Sequence, residues 1–466
     1  MKNIVILFVL LIILSVNGFA QDSQIMDKPK VDKRVELLST VAHVAGYEEY
    51  NMNFFNLYMD RIDNYFASYK DHDLIRFMKK IRNDNGIGYD AVMAMAVHLD
   101  ENLNPRKEFT AGIPESRWVD STGYEFVCLL KQFYKDTDYD KFFRDNQDLY
   151  NDASQRFLPV FDHLDLKWYS SFYGKEPTEK FIVINGLVNG GSNYGVSFSP
   201  TAGKKEVYAI MGAWSMDSVG KPTFAINEYF PTLLHEFNHS FVNYLTDNNP
   251  GLFEENGIRI FDVIGDDMKS QAYSNWLTVL NEALVRAAVI KYMKDHNFDA
   301  KQIEGETHHQ ISRGFFWIEG LVAELENYDK QRDIYPTLES YLPNLAKAYA
   351  GFADSAAEYQ KKRPIVTSIS EFENGDTNVS AEIKKITINF DRPMLGERYS
   401  IYYGNKGKEA YPEFGNITYS EDKKSIVMEV KLKKGKEYQF VLAGRNFVSQ
   451  EGIGIKNYEV NFKVTE

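Results

Sequence analysis

Cysteine is nearly absent: Cys128 is the single one among 466 residues. No internal disulfide can form, and the paired thiols of a redox motif or a cysteine-based zinc site are missing. Cys128 is therefore expected to be a small buried apolar residue. Runs of positive charge are equally scarce. With 53 Lys and Arg against 66 Asp and Glu the formal net charge is -13, and no basic cluster is long enough to track a phosphate backbone, which excludes nucleic acid as a partner. Only 14 prolines and 30 glycines stand against 44% hydrophobic residues, so collagen-like, coiled-coil and disordered compositions are ruled out.

Long hydrophobic runs are missing everywhere except at the very start. There Lys2 supplies a positive charge, positions 4–14 are continuously apolar, and Asn17-Gly18-Phe19-Ala20 ends the run with small residues. This reads as a cleavable export signal over residues 1–20, with a mature chain beginning near Gln21. The run is too short to span a bilayer comfortably, and no Cys follows it to accept a lipid. The expectation is an exported bacterial protein, periplasmic or secreted, that is not an integral membrane protein once the signal is removed.

At roughly 150 residues per domain the remaining length predicts two or three folding units. From 35 to about 173 apolar residues recur at helical spacing, as in Phe54-Leu57-Tyr58-Ile62-Tyr65-Phe66, and turn signals such as Asn83-Asp84-Asn85-Gly86 divide the pattern. Residues 181–184, 194–198 and 207–211 read as short strands. Helical periodicity returns over 228–244, 270–294, 315–328 and 338–359. After Lys361-Lys362-Arg363-Pro364 the pattern alternates strictly, with Ile386, Ile388 and Phe390, then Ile426, Met428, Val430 and Leu432, then Val460, Phe462 and Val464. An all-β tail beginning near 364 is predicted.

The most specific signal is Leu234-His235-Glu236-Phe237-Asn238-His239. Two histidines four residues apart share one helical face, so one turn brings both imidazoles onto a single Zn²⁺, while Glu236 beside the first ligand can take a proton from a water that the ion activates. A catalytic zinc needs a third protein ligand. The residues after His239, Ser240-Phe241-Val242-Asn243-Tyr244-Leu245, exclude the third histidine of the metzincin spacing. Glu282 is preferred instead, because it sits on a strongly apolar helix between Trp276 and Tyr292 where an unpaired carboxylate is costly to bury. Glu254, Glu255, Asp262, Asp266 and Asp267 compete, but their stretch is rich in Gly, Asn and Asp and reads as solvated loop. His308 and His309 are adjacent and point about 100° apart on a helix, which suits solvated or capping roles. His43, His72, His98, His163 and His296 are scattered singly and read as core or surface residues.

These residues resemble the gluzincin-type zinc metallopeptidases: His235-Glu236-Phe237-Asn238-His239 matches their H-E-x-x-H and Asn281-Glu282 their downstream Asn-Glu. Where thermolysin-like members carry an Asp that orients the first histidine, four residues after the ligand glutamate, this chain has Arg286. Together with Arg34-Val35-Glu36-Leu37-Leu38-Ser39 and Ala45-Gly46-Tyr47-Glu48-Glu49-Tyr50-Asn51, the metal motifs also resemble an exported, largely uncharacterised Bacteroidetes family built on a domain of unknown function, over residues 33–359. The tail resembles a bacterial Ig-like domain through Arg363-Pro364-Ile365-Val366 and Ile386-Thr387-Ile388-Asn389-Phe390-Asp391-Arg392-Pro393-Met394.

The resemblances imply an α+β chain: a mostly helical, zincin-like metallopeptidase domain with a small mixed sheet over residues 21–363, its helical front part reaching about 175, then an Ig-like β-sandwich over 364–466. They imply hydrolysis of peptide bonds in a peptide or protein substrate, with His235, His239 and Glu282 on zinc and Glu236 as general base. An oxyanion donor is then required, and Tyr328, Arg332 and Tyr335 are the candidates. The strand at 194–198 or that at 207–210 is expected to form a sheet edge to which an extended peptide adds. Two other readings stand beside this one: a non-catalytic surface or periplasmic binding protein with a structural or vestigial zinc site, and hydrolysis of a different amide, such as a cell-wall peptide crosslink.

Overall fold

Strand β1 (Met26–Lys30) leads into Asp32, whose carboxylate accepts the main-chain N–H groups of Arg34 and Val35 and so caps α1 (Lys33–Val44). The computed structural model from which these elements are taken describes residues 26–201, 203–271 and 273–465. The expected export signal at 1–20 lies outside the described residues. Helices α2 (Asn56–Phe66), α3 (Asp73–Asn85), α4 (Asp90–Val97), α5 (Asp120–Asp136), α6 (Tyr139–Asp145), α7 (Gln147–Phe161) and α8 (Leu166–Tyr173) complete the front part. The turn signal at 83–86 ends α3, with Gly86 in the left-handed region at φ 69°. Cys128, on α5, is exposed rather than buried, which corrects the reading of it as a core residue.

The strands β2 (Lys180–Gly186), β3 (Tyr194–Thr201) and β4 (Lys204–Gly212) join β1 in one sheet, in the order β1-β2-β4-β3. β1 and β4 run parallel to β2, and β3 runs antiparallel to β4. Their sequences follow from these places. β2 is buried along almost its whole length, as a parallel central strand must be, whereas β3 alternates buried and exposed residues and forms the free edge. Of the two candidate edge strands it is therefore 194–198 that lies at the edge.

Helices α9 (Ile226–Asp247), α10 (Glu254–Lys269), α11 (Trp276–Asp295), α12 (Ala300–Ser312), α13 (Ile318–Asp329) and α14 (Leu338–Lys362) follow. α11 lies among its neighbours and is buried nearly all round. The stretch holding Glu254 to Asp267 is thus a helix, not a loop. Ile260, Ile264 and Met268 give it a buried stripe at four-residue spacing, and Gly257 lets it approach α11 so closely that a Cβ there would stand 2.6 Å from the Trp276 ring. No helix of the described residues is long and apolar enough to cross a membrane.

The C-terminal region is all-β: β5 (Val366–Ile369), β6 (Lys385–Phe390), β7 (Ile401–Tyr402), β8 (Glu413–Tyr419), β9 (Ser425–Lys431), β10 (Glu437–Leu442) and β11 (Tyr458–Lys463). They form a four-stranded sheet, β5-β6-β9-β8, and a three-stranded one, β11-β10-β7. The alternating residues of the tail, among them Ile386, Ile388, Ile426, Met428, Val460 and Phe462, form the core of this region. Arg363, at the end of α14, joins it to the helices: its guanidinium donates to the carbonyls of Gly454 and Ile455 and pairs with Asp267 of α10 at 2.6 Å.

Candidate metal centre

The apolar stripe of α9, Phe230, Leu233, Leu234, Phe237, Phe241 and Leu245, is buried at three- and four-residue spacing. That burial fixes the opposite face, carrying His235, Glu236, His239 and Asn243, along a cleft. Asn238, buried between the two histidines, accepts from Tyr173 Oη at 3.2 Å and donates to the Val285 carbonyl of α11, also at 3.2 Å. Two turns further on, Thr246 donates to Asn281 Oδ1, and Asn281 Nδ2 donates to Asp247 at 2.9 Å. These two ties set the register of α11 against α9 and bring Glu282 to the histidines.

The Nε2 atoms of His235 and His239 stand 3.1 Å apart. Glu282 Oε2 lies 3.6 Å from His235 Nε2 and Oε1 3.5 Å from His239 Nε2. Donors around a tetrahedral zinc at about 2.0–2.1 Å are separated by roughly 3.4 Å, so the three residues fit such an ion. Among the described residues they are the only group of three or more His, Cys, Asp or Glu side chains close enough to share a metal.

The surroundings orient the donors. Glu282 Oε2 accepts from Arg286 Nη2 at 2.7 Å and from Tyr273 Oη at 3.0 Å, while His239 Nδ1 faces Asn243 Oδ1 at 3.1 Å. Burial pushes the Glu282 carboxyl up, but the neighbouring His235, Arg286 and His239 side chains outweigh it and hold the group at about 2, ionised. Burial drives His235 well below its ordinary value, with Arg286 adding to the effect, so its ring is the neutral form that ligates metal. Burial raises Glu236, the direction that suits a proton acceptor. Arg313, just past α12, has a buried Nε without a hydrogen-bond partner, and burial together with the charge of Arg286 brings it down to about 10.

Glu236 stands where two halves of one cleft meet. The larger half, of about 750 Å³, runs along β3 past Gly195 and Ser197 to His239 and Tyr244; the other, of about 580 Å³, extends past His235 to Arg286, His309 and Arg313. Gly195 matters to this arrangement. A Cβ at that position would lie 2.0 Å from Glu236 Oε2, so the carboxylate occupies the space a side chain would take.

Tyr328, Arg332 and Tyr335, expected as oxyanion donors, are not brought to the cleft. Tyr328 Oη donates to the Phe172 carbonyl at 2.7 Å, and Arg332 donates to the carbonyls of Ser171, Phe172 and Pro336. Both satisfy carbonyls at the C-terminal end of α8 that have no partner within the helix. Tyr335 packs edge-on against Tyr341. The residues that do surround the donors, Tyr273, Asn243 and Arg313, were missed by sequence reasoning, and Arg286 entered it only as a departure from a pattern. Their one local signal is the four-residue spacing that puts Asn243 beside His239 and Arg286 beside Glu282.

Residues 29–348 match the family Domain of unknown function (DUF4932). No curated protein matches the chain. Among solved structures, the S-layer protein rSbsC(31-844) is similar at 14% identity and a TM-score of 0.18, over 48% of this chain and 33% of that one. The surface layer protein SbsC, domains 1-6, is similar at 15% identity and a TM-score of 0.17, over 52% of this chain and 37% of that one. The chain thus spans about a third of the length of these proteins, and likenesses with such TM-scores carry no argument about fold or function.

Proposed function

We propose that this chain, which belongs to the family Domain of unknown function (DUF4932), is an exported zinc-dependent peptidase of the gluzincin kind. In this reading residues 21–363 are a zincin-like domain and 364–466 an Ig-like sandwich, and the export signal at 1–20 sends the chain to the periplasm or beyond. The observation that carries the proposal is one juxtaposition: three metal donors 3.1–3.6 Å apart, with the Glu236 carboxylate, next to the first of them, lying over Gly195 of the edge strand β3.

His235, His239 and Glu282 would hold the ion, which supplies a Lewis acid that acidifies water and polarises a carbonyl. Glu236 takes the proton of the attacking water and returns it to the amine as the carbon–nitrogen bond breaks. The free main-chain groups of β3 hold an extended peptide across the cleft. Arg286 and Tyr273 keep Glu282 in place, and Asn243 does the same for His239.

Elemental analysis of the purified chain tests this first. One zinc per chain is expected, lost in His235→Ala and in Glu282→Ala. Glu236→Gln should keep the zinc and lose peptide hydrolysis. A chain that takes up no zinc after reconstitution, or a Glu236→Gln variant with full turnover, would overturn the reading.

A further inference from the structure

The half of the cleft beyond His235 has an uneven supply of charge. None of the carboxylates in or beside it pairs with Arg313: Glu236 lines it next to the metal donors, Glu282 is held by Arg286 at 2.7 Å, Glu306 Oε1 accepts from Gln310 at 2.5 Å, and Glu228 lies at the exposed start of α9. Arg286 donates to Glu282, Tyr273 and Gln310 and is ion-paired with the first, although its buried Nε has no partner. Arg313 is different. Among the described residues no carboxylate lies within 4 Å of its guanidinium, its buried Nε has no partner, and its one side-chain hydrogen bond is from Nη2 to Tyr273 Oη at 3.2 Å. An arginine in such a setting is a planar fork of donors without the anion it matches.

Its position gives the thinly partnered guanidinium a meaning. Tyr273 Oη is 3.2 Å from Arg313 Nη2 and 3.0 Å from Glu282 Oε2, which places the guanidinium within about 6 Å of a metal donor. A second cation approaches from the β region: Arg398 Nη2 donates to Ser312 Oγ at 3.2 Å, next to Arg313, and it too has no carboxylate within 4 Å among the described residues. The fork is thus within about two residues of extended peptide of the donors, in the half of the cleft that His235 and Arg313 both line.

Resting on the peptidase reading, we infer that Arg313 is a substrate-binding residue that receives a carboxylate adjoining the scissile bond, so that the substrates are peptides with a free C-terminal carboxylate or an acidic side chain at that place. Arg398 adds charge at the rim. The chemistry recognised is the same in both cases, and the two sources differ in the products: single residues or short fragments released from a C-terminus, or internal cuts beside Asp or Glu.

The test uses the full zinc-loaded chain and N-acetylated peptides in matched pairs, one pair ending in a free acid or an amide, the other carrying Glu or Gln internally. The acid member of one pair is expected to be cleaved with at least about tenfold higher kcat/KM, and Arg313→Met should bring that ratio close to one, with Arg313→Lys in between. A preference in the first pair assigns a terminal carboxylate, and in the second an acidic side chain. Equal cleavage of acid and amide by the unmodified chain, or a preference that survives Arg313→Met, overturns the inference while leaving the peptidase reading intact. If the zinc-loaded chain cleaves none of the four peptides, the peptidase reading fails, and calorimetric titration of the Glu236→Gln protein with the same pairs decides the subsite alone. Tighter binding of an acid member, lost in a Glu236→Gln/Arg313→Met double variant, supports it; equal binding of acid and amide refutes it.

Discussion

Replacing Gly195 by Ala probes the proposed general base without touching it. The added Cβ would stand 2.0 Å from Glu236 Oε2, inside the 3.0 Å that real Cβ contacts respect, and 3.1 Å from its Cδ. Gly195 lies in a regular edge strand and lacks a positive φ, so alanine suits its backbone and should leave the fold as stable or more so by roughly 0.5 kcal/mol. The collision falls on the end of a flexible side chain, so Glu236 must swing out rather than the strand distort. A carboxylate displaced by more than 1 Å no longer reaches its proton, and a general base contributes about 10²–10⁴-fold. Peptide hydrolysis by Gly195→Ala is therefore expected to fall by that factor with zinc content and melting temperature unchanged. The double variant with Glu236→Gln gives the sharper measurement: if the alanine acts only by moving the base, it costs little more once the base is gone. A Gly195→Ala protein with kcat/KM within about threefold of the unmodified one, or a full further loss in the Glu236→Gln background, would refute the reasoning.

Asn243→Ala removes the group facing His239 Nδ1, and zinc affinity measured by competition with a chelator is expected to weaken by about 10–100-fold; unchanged affinity would deny the asparagine an orienting role. Glu36, on α1, is wholly buried, with one oxygen accepting from Leu187 N at 2.8 Å and the other unpartnered, and burial pushes it to about 8 against an ordinary value of 4.5. A raised carboxyl contributes stability that is fully present below 4.5 and is lost as pH rises through about 8, a span worth roughly 4–5 kcal/mol. Denaturant titrations of Glu36→Gln should accordingly lack this decline, and the variant should exceed the unmodified chain in stability above pH 8; parallel pH profiles would disprove the assignment.

What was legible in the sequence was what is local or costly. His235 and His239 are a single helical turn apart, so the period alone puts them on one face, and Glu282 announced itself as a carboxylate on a helix too apolar to hold it unpaired. The strand at 194–198 and the alternating tail were legible because a period of two marks a buried face directly, and those at 181–184 and 207–211 as short apolar runs bounded by turn residues. The misreadings share another cause. The stretch from Glu254 to Asp267 looked like loop through its Gly, Asn and Asp, yet Gly257 is there because Trp276 leaves no room for a side chain, a fact of tertiary packing. Tyr328 and Arg332 looked chemical because they are polar and clustered, but carbonyls at the end of α8, over 150 residues earlier, claim them. β1 was missed because its partner β2 lies across the whole front part of the chain, and a short strand with Pro29 has little pattern of its own.

Arg286 shows how a departure from a family pattern can be a change of design rather than a loss. An acidic residue at that place would strengthen a histidine as a donor; Arg286 instead returns one turn to Glu282 and shares the charge of that carboxylate. Asn243 likewise faces His239 with a neutral oxygen where a carboxylate would bring a charge. Both choices reduce the negative charge available to the proposed zinc, which weakens its binding and sharpens its Lewis acidity. An ion held less by charge must be held more by geometry. That is what Asn238 and Asn281 supply, for their bonds between α9 and α11 set three donors 3.1–3.6 Å from one another independently of any ion. The rigidity of the helix pair then takes over part of the work that charge performs elsewhere, which gives a reason for two amides, buried Asn238 and half-buried Asn281, to tie the helices on either side of the donors.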